Sequence, residues 1–227
     1  MCIRDSPATN RIVRIIYIDI DTLRADHLGC GGYHRNTSPN IDNVASAGIN
    51  FRNVYASDVP CLPSRTALIT GMFGIRNGVI NHGGRAADLQ PEGKDRGFFG
   101  RFSMRSWASV FYLAGWHTAS ISSFPFRHGA SWWNSGFMES MNLMRGFGGE
   151  RADQVIPGAL DWLERRGKAD DWFLHVHLWD PHTPYRTPED YGNPFESDPV
   201  PSWHTEDVRM ANWDLSGPHS AQEPWGF

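Results

Sequence analysis

An α/β fold built on a largely parallel sheet is what this sequence predicts, on three observations. Two short apolar runs, Arg14 to Ile20 (R-I-I-Y-I-D-I) and Trp172 to Trp179 (W-F-L-H-V-H-L-W), have the length and hydrophobicity of buried strands. Between them lie segments bounded by helix start and stop residues. Strands alternating with helices are the pattern of crossover units, which bring successive strands parallel.

The elements follow in chain order. Ser38 offers an N-cap and Pro39 a first helical residue, so a helix runs to Ala47 and Gly48 closes it. Ile49 to Tyr55 reads as a second strand. Pro63 to Thr70 is a helix ended by Gly71, and Ser106 to Ala114 another, closed by Gly115. His117 to Ser122 is the strand after it. Val155 to Arg166 carries Val155, Ile156, Leu160 and Leu163 at roughly helical spacing, with basic residues in its last turn. The strand from Trp172 is stopped by Asp180-Pro181. Gly, Pro and Trp crowd the loops 82–105 and 124–150. From Pro184 onward no periodicity is visible, and the chain shows neither an internal repeat nor a firm domain boundary.

Composition narrows the function classes. A hydrophobic share of 40% supports a packed core and excludes a disordered chain. The net charge of -4, with Lys and Arg scattered, gives no footprint for nucleic acid and no polybasic membrane patch. No apolar run is long enough for a transmembrane segment. Cys2, Cys30 and Cys61 are an odd number and make no disulfide framework, which favours a reducing, cytoplasmic compartment. Met1 to Ser6 fits nothing that follows. Residues 1–10 are therefore expected to be extraneous, and a lost leader there would instead make the protein periplasmic or secreted.

The chemistry concentrates at strand ends and helix starts. Ligands of open α/β sheets gather at the carboxyl ends of strands. Asp21 stands at the end of the first strand, and Cys61 enters a helix N-terminus, where free backbone N–H groups and the helix dipole favour a tetrahedral anion. Arg65, one turn later, adds a bidentate donor for sulfate or phosphate. Taken alone, Cys61 is a buried thiol beside a Pro-started helix.

Cys61-Leu62-Pro63-Ser64-Arg65, running into Leu68-Ile69-Thr70-Gly71, resembles the signature of the type I sulfatases. The resemblance implies the alkaline-phosphatase-like three-layer fold, incomplete at the C-terminus. It also implies that Cys61 is oxidised to formylglycine by a maturing enzyme, and that the hydrated aldehyde is the nucleophile. Attack on sulfur gives a covalent sulfo-enzyme. The second hydroxyl then re-forms the aldehyde and expels sulfate.

Asp21 to Gly29 resembles the family's first metal segment, in which many members have two adjacent aspartates where this chain has Asp21-Thr22. Asp21 and the modified Cys61 are thereby implied to hold Ca²⁺, or Mg²⁺ or Mn²⁺. Asp19 is assigned to the opposite face of the strand, and Asp26 to a turn. Trp179-Asp180-Pro181-His182-Thr183-Pro184-Tyr185 resembles the D-P-H-x-P-Y segment, making His182 the proton donor to the leaving alcohol.

Ala114-Gly115-Trp116-His117-Thr118-Ala119 matches the stretch leading to G-K-W-H, but here it leads to Ser122-Ser123-Phe124-Pro125-Phe126-Arg127-His128. The lysine is absent, and His128 is its best substitute, ahead of Arg127. His82 is read as a solvated loop histidine that could also reach the pocket, and His175 and His177 have packing or hydrogen-bonding roles.

The resemblance covers Arg14 to Tyr191. His204 and His219 lack the context of the downstream ligands, so residues 11–227 are expected to be the amino-terminal part of a catalytic domain, inactive by itself. The expected activity is hydrolysis of a sulfate ester on a small molecule or carbohydrate. A phosphonate or phosphodiester hydrolase is the close alternative, since Asp21-x-x-Arg24-x-Asp26 also occurs there, and a non-catalytic relative is the distant one.

Overall fold

The structure is a computed structural model that describes residues 12–89, 106–143, 149–182, 185, 187–199, 202 and 205–213. Residues 1–10, Pro184, His204 and His219 lie outside the described residues. The chain forms two compact units: Met1–Asp19 with Phe51–Leu178, and Ile20–Asn50 with Trp179–Phe227.

The first unit holds a four-stranded sheet in the order β1-β4-β2-β3, formed by Arg14–Ile20 (β1), His117–Ile121 (β2), Glu139–Met141 (β3) and Trp172–Leu178 (β4). β2 pairs parallel with β4, His117 opposite Trp172 and Ile121 opposite Val176, and parallel with β3. Parallel strands need crossovers, and Ala152–Arg166 (α6) provides the one from β3 to β4.

Side chains alternate across a strand, so the two faces of β4 part company. Trp172, Leu174 and Val176 join Ala119 and Ile121 of β2 against Val155, Ala159 and Trp162 of α6. Phe173, His175 and His177 point the other way, into an aromatic and polar layer. The buried stripe of α6 is thus Val155, Ala159 and Trp162, at i, i+4 and i+7. It differs from the expected one, since Leu160 is 55% exposed and Trp162 only 1%. α6 also begins earlier than its apolar pattern, at Ala152, where Gln154 Oε1 accepts the Arg151 N–H at 2.9 Å.

On that second layer lie Cys61–Thr70 (α2) and Trp107–Leu113 (α4). The Ser106 hydroxyl caps α4, accepting the Ser109 N–H at 3.0 Å. α2 ends at Gly71, whose φ of 64° is left-handed, as expected of the residue that closes it. Its buried Thr66 and Thr70 satisfy their hydroxyls by donating to the carbonyls of Leu62 and Thr66.

Two strand readings change. β1 stands at the edge of the sheet, and Ile16 and Ile18 are 48% and 56% exposed, so it is half-covered rather than fully buried. Ile49 to Tyr55 forms no strand, and its apolar side chains Ile49, Phe51, Val54 and Tyr55 are exposed. A strand exists only with a ladder partner, and propensity alone does not supply one.

The second unit contains Pro39–Ala47 (α1) and Glu206–Trp213 (α7). Ser38 precedes α1 as expected, but its hydroxyl makes no helix cap. It accepts the Gly29 N–H at 2.9 Å and bonds Asp42 Oδ1 at 3.0 Å, while Asp42 Oδ1 also accepts the Cys30 N–H at 2.7 Å. A Cβ at Gly29 would run into the Asp42 carboxylate, so a side chain there would displace the group that holds Ser38 and the Cys30 N–H.

The α6 register generates a direct test. Trp162→Ala is expected to lower stability by about 3–5 kcal/mol, and Leu160→Ala by less than about 1 kcal/mol. Urea denaturation of the two variants measures the difference, and equal losses would refute the assigned face.

Candidate active site

Cys61 is the first residue of α2, and the chain returns to it twice. Ile80 and Asn81 both donate backbone N–H groups to the Ala86 carbonyl, closing the loop that carries His82. His82 Nε2 lies 3.0 Å from Cys61 Sγ and accepts the Leu62 N–H at 3.3 Å. Accepting that N–H leaves Nε2 without its own proton, so the thiol is the donor to it. The second return follows β2. Phe124–Arg127 (α5) is a single short turn with Pro125 as its second residue, and His128 caps it. One ligand atom each of Cys61, His82 and His128 lie within 4.8 Å of one another.

Phe124, fully buried, organises the neighbourhood. Its ring is 4.4 Å from that of His128, 5.0 Å from Trp133 and 5.2 Å from His177. On the other side the Arg65 guanidinium stands 4.7 Å from the ring centroid, a cation–π contact.

Arg65 is otherwise engaged than expected. Its Nε and Nη2 donate to the two carboxylate oxygens of Asp19 at 2.5 and 2.9 Å, in a buried fork. Asp19 therefore faces α2. Residues two apart on a strand share a face, so its assignment to the opposite face is corrected. The helix start is also poorer in donors than expected. Pro63 has no N–H, Ser64 donates to the Pro60 carbonyl, and Leu62 is spent on His82.

Deeper in the same layer sits His175. Its Nδ1 is 2.9 Å from the Ser120 hydroxyl, and rings of Tyr17 and Phe137 stack on it. Burial pushes its pKa down to about 3, against a smaller opposing pull from Asp19. The imidazole is neutral, which accords with the packing role read for it. Burial, and next the Asp19 charge, raise the Tyr17 phenol, which stays protonated.

The second unit has its own cavity, of about 720 Å³, lined by Thr22, Arg24, His27, Thr37, His182 and Tyr185 among others. The His182 ring stacks on Trp179 at 4.5 Å. Asp21, at the end of β1, is 2% exposed. Thr22 follows it at φ 51°, a left-handed conformation that a β-branched residue adopts only under constraint. Asp26 accepts the fork of Arg24 and a bond from His27, which hold its carboxyl well below the ordinary range. It supports a turn, as expected. Among the described residues, no helix is long and apolar enough to cross a membrane.

A sequence model of the Sulfatase family matches residues 14–212. The chain belongs to the sulfatase family. It is 24% identical over 203 residues to the uncharacterized sulfatase YidJ of Escherichia coli K12, covering 78% of this chain and 40% of that protein. Among solved structures it superposes on BT4656 in complex with its substrate D-glucosamine-2-N,6-O-disulfate, with a TM-score of 0.66 at 21% identity. That match covers 85% of this chain and 40% of the other. It also superposes on the phosphonate monoester hydrolase of Agrobacterium radiobacter, with a TM-score of 0.57 at 19% identity over 78% of this chain and 42% of the other.

The fold is therefore the α/β, alkaline-phosphatase-like one expected, and the chain spans about 40% of the length of YidJ and of these two solved structures. Within its first unit the structure brings His128 to Cys61, adds His82, and commits Arg65 to Asp19. Asp21 and His182 stand in the second unit. Sequence reasoning undervalued His82 and set Asp19 aside. The strand period of two was the available signal for Asp19, whereas no local pattern marks His82.

Two measurements follow. Removing one member of a buried ion pair leaves the other charge uncompensated, so Asp19→Ala is expected to cost about 3 kcal/mol or more. The double variant Asp19→Leu, Arg65→Met should recover most of that loss in urea denaturation. His175 binds no proton in the folded protein until the pH nears 3, whereas in the unfolded chain it protonates below its ordinary 6.5. Its contribution to stability is complete above that value and falls with the pH, by about 1.4 kcal/mol per unit. His175→Gln should flatten the stability profile by that slope between about pH 6 and pH 4.

Proposed function

We propose that this protein hydrolyses sulfuric esters, with Cys61 converted to formylglycine as its nucleophile. The observation that carries this reading is the run Cys61-Leu62-Pro63-Ser64-Arg65 at the start of α2, in a chain of the sulfatase family. The sulfated glucosamine bound by BT4656 supports a sulfated carbohydrate or small molecule as the substrate class.

The donor chemistry bears on the metal. Asp21 is a buried carboxylate, the hard oxygen donor that Ca²⁺, Mg²⁺ or Mn²⁺ takes, while the sulfur of Cys61 is a soft one. Conversion replaces that sulfur with oxygen and so makes residue 61 a hard donor as well. A hard divalent cation, when bound, would supply positive charge that offsets charge on the sulfate oxygens and makes a hydroxyl more acidic.

The chain's own side chains do the rest. His82 Nε2 stands 3.0 Å from Sγ of the unconverted Cys61, the end of the side chain where conversion would place oxygen, which supports a role in taking a proton there. His128 adds a second imidazole beside it, where the family's commoner pattern has a lysine. His182, on the wall of its cavity, donates a proton to the leaving alcohol.

A second reading is favoured by the Asp21-x-x-Arg24-x-Asp26 sequence and by the superposition on a phosphonate monoester hydrolase. It assigns the same apparatus to phosphonate or phosphodiester cleavage. Turnover of an aryl sulfate against an aryl phosphodiester separates the two, and preference for the phosphodiester overturns our choice. Mass spectrometry of the peptide containing Cys61 tests the nucleophile. After co-expression with a formylglycine-generating enzyme, the residue should have lost one sulfur and two hydrogens and gained one oxygen. An intact thiol refutes catalysis by this route.

His182→Ala is expected to reduce kcat on an alkyl sulfate by a factor of about 10² to 10⁴. The loss on nitrophenyl sulfate should be much smaller, because nitrophenolate leaves without a proton. Equal losses on both substrates would remove His182 from the acid role.

A further inference from the structure

We propose that the unconverted chain carries a second, chemically different metal site: the Cys61 thiolate, His82 Nε2 and a ring nitrogen of His128, binding a borderline-soft divalent cation such as Zn²⁺. The three ligand atoms lie within 4.8 Å of one another, on three separate segments of one compact unit. A tetrahedral zinc with bonds of about 2.3 Å to sulfur and 2.0–2.1 Å to nitrogen separates its ligand atoms by roughly 3.5 Å. Cys61 Sγ and His82 Nε2, at 3.0 Å, therefore open slightly, and a pair at the 4.8 Å limit would have to close by about 1 Å.

The donor set selects the ion. One thiolate and two imidazoles suit Zn²⁺ or Co²⁺, whereas Ca²⁺ and Mg²⁺ demand oxygen. A bound metal ion favours the thiolate over the thiol. The positive end of α2 opposes a cation, and the carboxylate of Asp19 offsets the charge of Arg65, one turn along the same helix. Binding is a substitution that balances. The Cys61 S–H proton is released, a metal–sulfur bond replaces the S–H···Nε2 contact, and the Leu62 N–H gives up its place on Nε2. Water fills the fourth position, as in sites that keep one open.

This inference needs only the thiol, so it stands apart from the proposed sulfatase activity. The two are coupled in one direction: oxidation of Cys61 to the aldehyde destroys the site, and an ion seated on the sulfur withholds it from oxidation.

The test uses the full chain produced without a maturing enzyme, with the Cys61 thiol verified by mass. Titration with Co²⁺ should load one ion, with thiolate-to-cobalt charge transfer in the near ultraviolet and the intense visible bands of tetrahedral cobalt. One equivalent of Zn²⁺ should bleach both, and excess Ca²⁺ should not. Zn²⁺ should protect Cys61 from iodoacetamide in peptide mapping and leave Cys30 as reactive as before. His82→Ala and His128→Ala should each weaken Co²⁺ binding by about 100-fold, while Cys30→Ser leaves it unchanged.

Absence of the charge-transfer band in the wild-type chain overturns the proposal. So does wild-type affinity in both histidine variants. Should either variant fail to fold, the wild-type spectrum and the mapped protection at Cys61 decide alone. The sulfatase reading fails separately, on an unconverted Cys61 after co-expression with the maturing enzyme.

Discussion

The fork between Arg65 and Asp19 is the constraint on which the surroundings of Cys61 depend. It joins the helix that Cys61 begins to the last inward residue of β1, far apart in sequence. Its charges are taken out of water, and two parallel N–H···O bonds fix their relative orientation as well as their distance. From there the order propagates by contact. The guanidinium lies over Phe124, Phe124 packs on His128, and His128 stands beside the thiol. A single carboxylate thus bears on where the sulfur points and on which imidazoles surround it.

That economy has a chemical side. An arginine one turn into a helix that begins with cysteine reads naturally as a clamp for an anion. Here the clamp has an internal anion already, and the first turn has given away most of its N–H groups. A tetrahedral ester at this helix start must compete with, or lean upon, imidazoles more than on the amides and guanidinium that its geometry advertises. If Cys61 is converted as proposed, position 61 passes from a soft donor among nitrogens to an oxygen donor for hard ions.

What the sequence disclosed and what it hid divide along local and non-local physics. The helices of Pro39–Ala47 and Cys61–Thr70, with Gly48 and Gly71 closing them, were legible because caps and stops act within a few residues. The runs at β1 and β4 were legible for their composition. Ile49 to Tyr55 had the same composition and formed no strand, since ladder partners are not written in a segment itself. On α6, reading only aliphatic residues missed that Ala159 and Trp162 line the buried face. His82 reaches Cys61 through a closed loop of some twenty residues whose path no periodicity encodes. The metal-segment resemblance singled out Asp21 as a candidate, and the two-residue strand period would have put Asp19 on the same face of the strand.

The two faces of β4 live under different rules, and the difference has an evolutionary reading. Toward α6, Trp172, Leu174 and Val176 meet only hydrocarbon and indole, where other shapes of similar volume repack at modest cost. Toward α2 and α4, Phe173, His175 and His177 interlock with aromatic rings and hydroxyls whose partners are specific. Adjacent residues of one seven-residue strand should then drift at unequal rates, the odd-numbered positions conserved by identity and the even-numbered ones by bulk. A lineage could exchange much of the α6 layer while the layer beside Cys61 stood still, so that distant relatives keep one set of side-chain partners long after their cores have ceased to match.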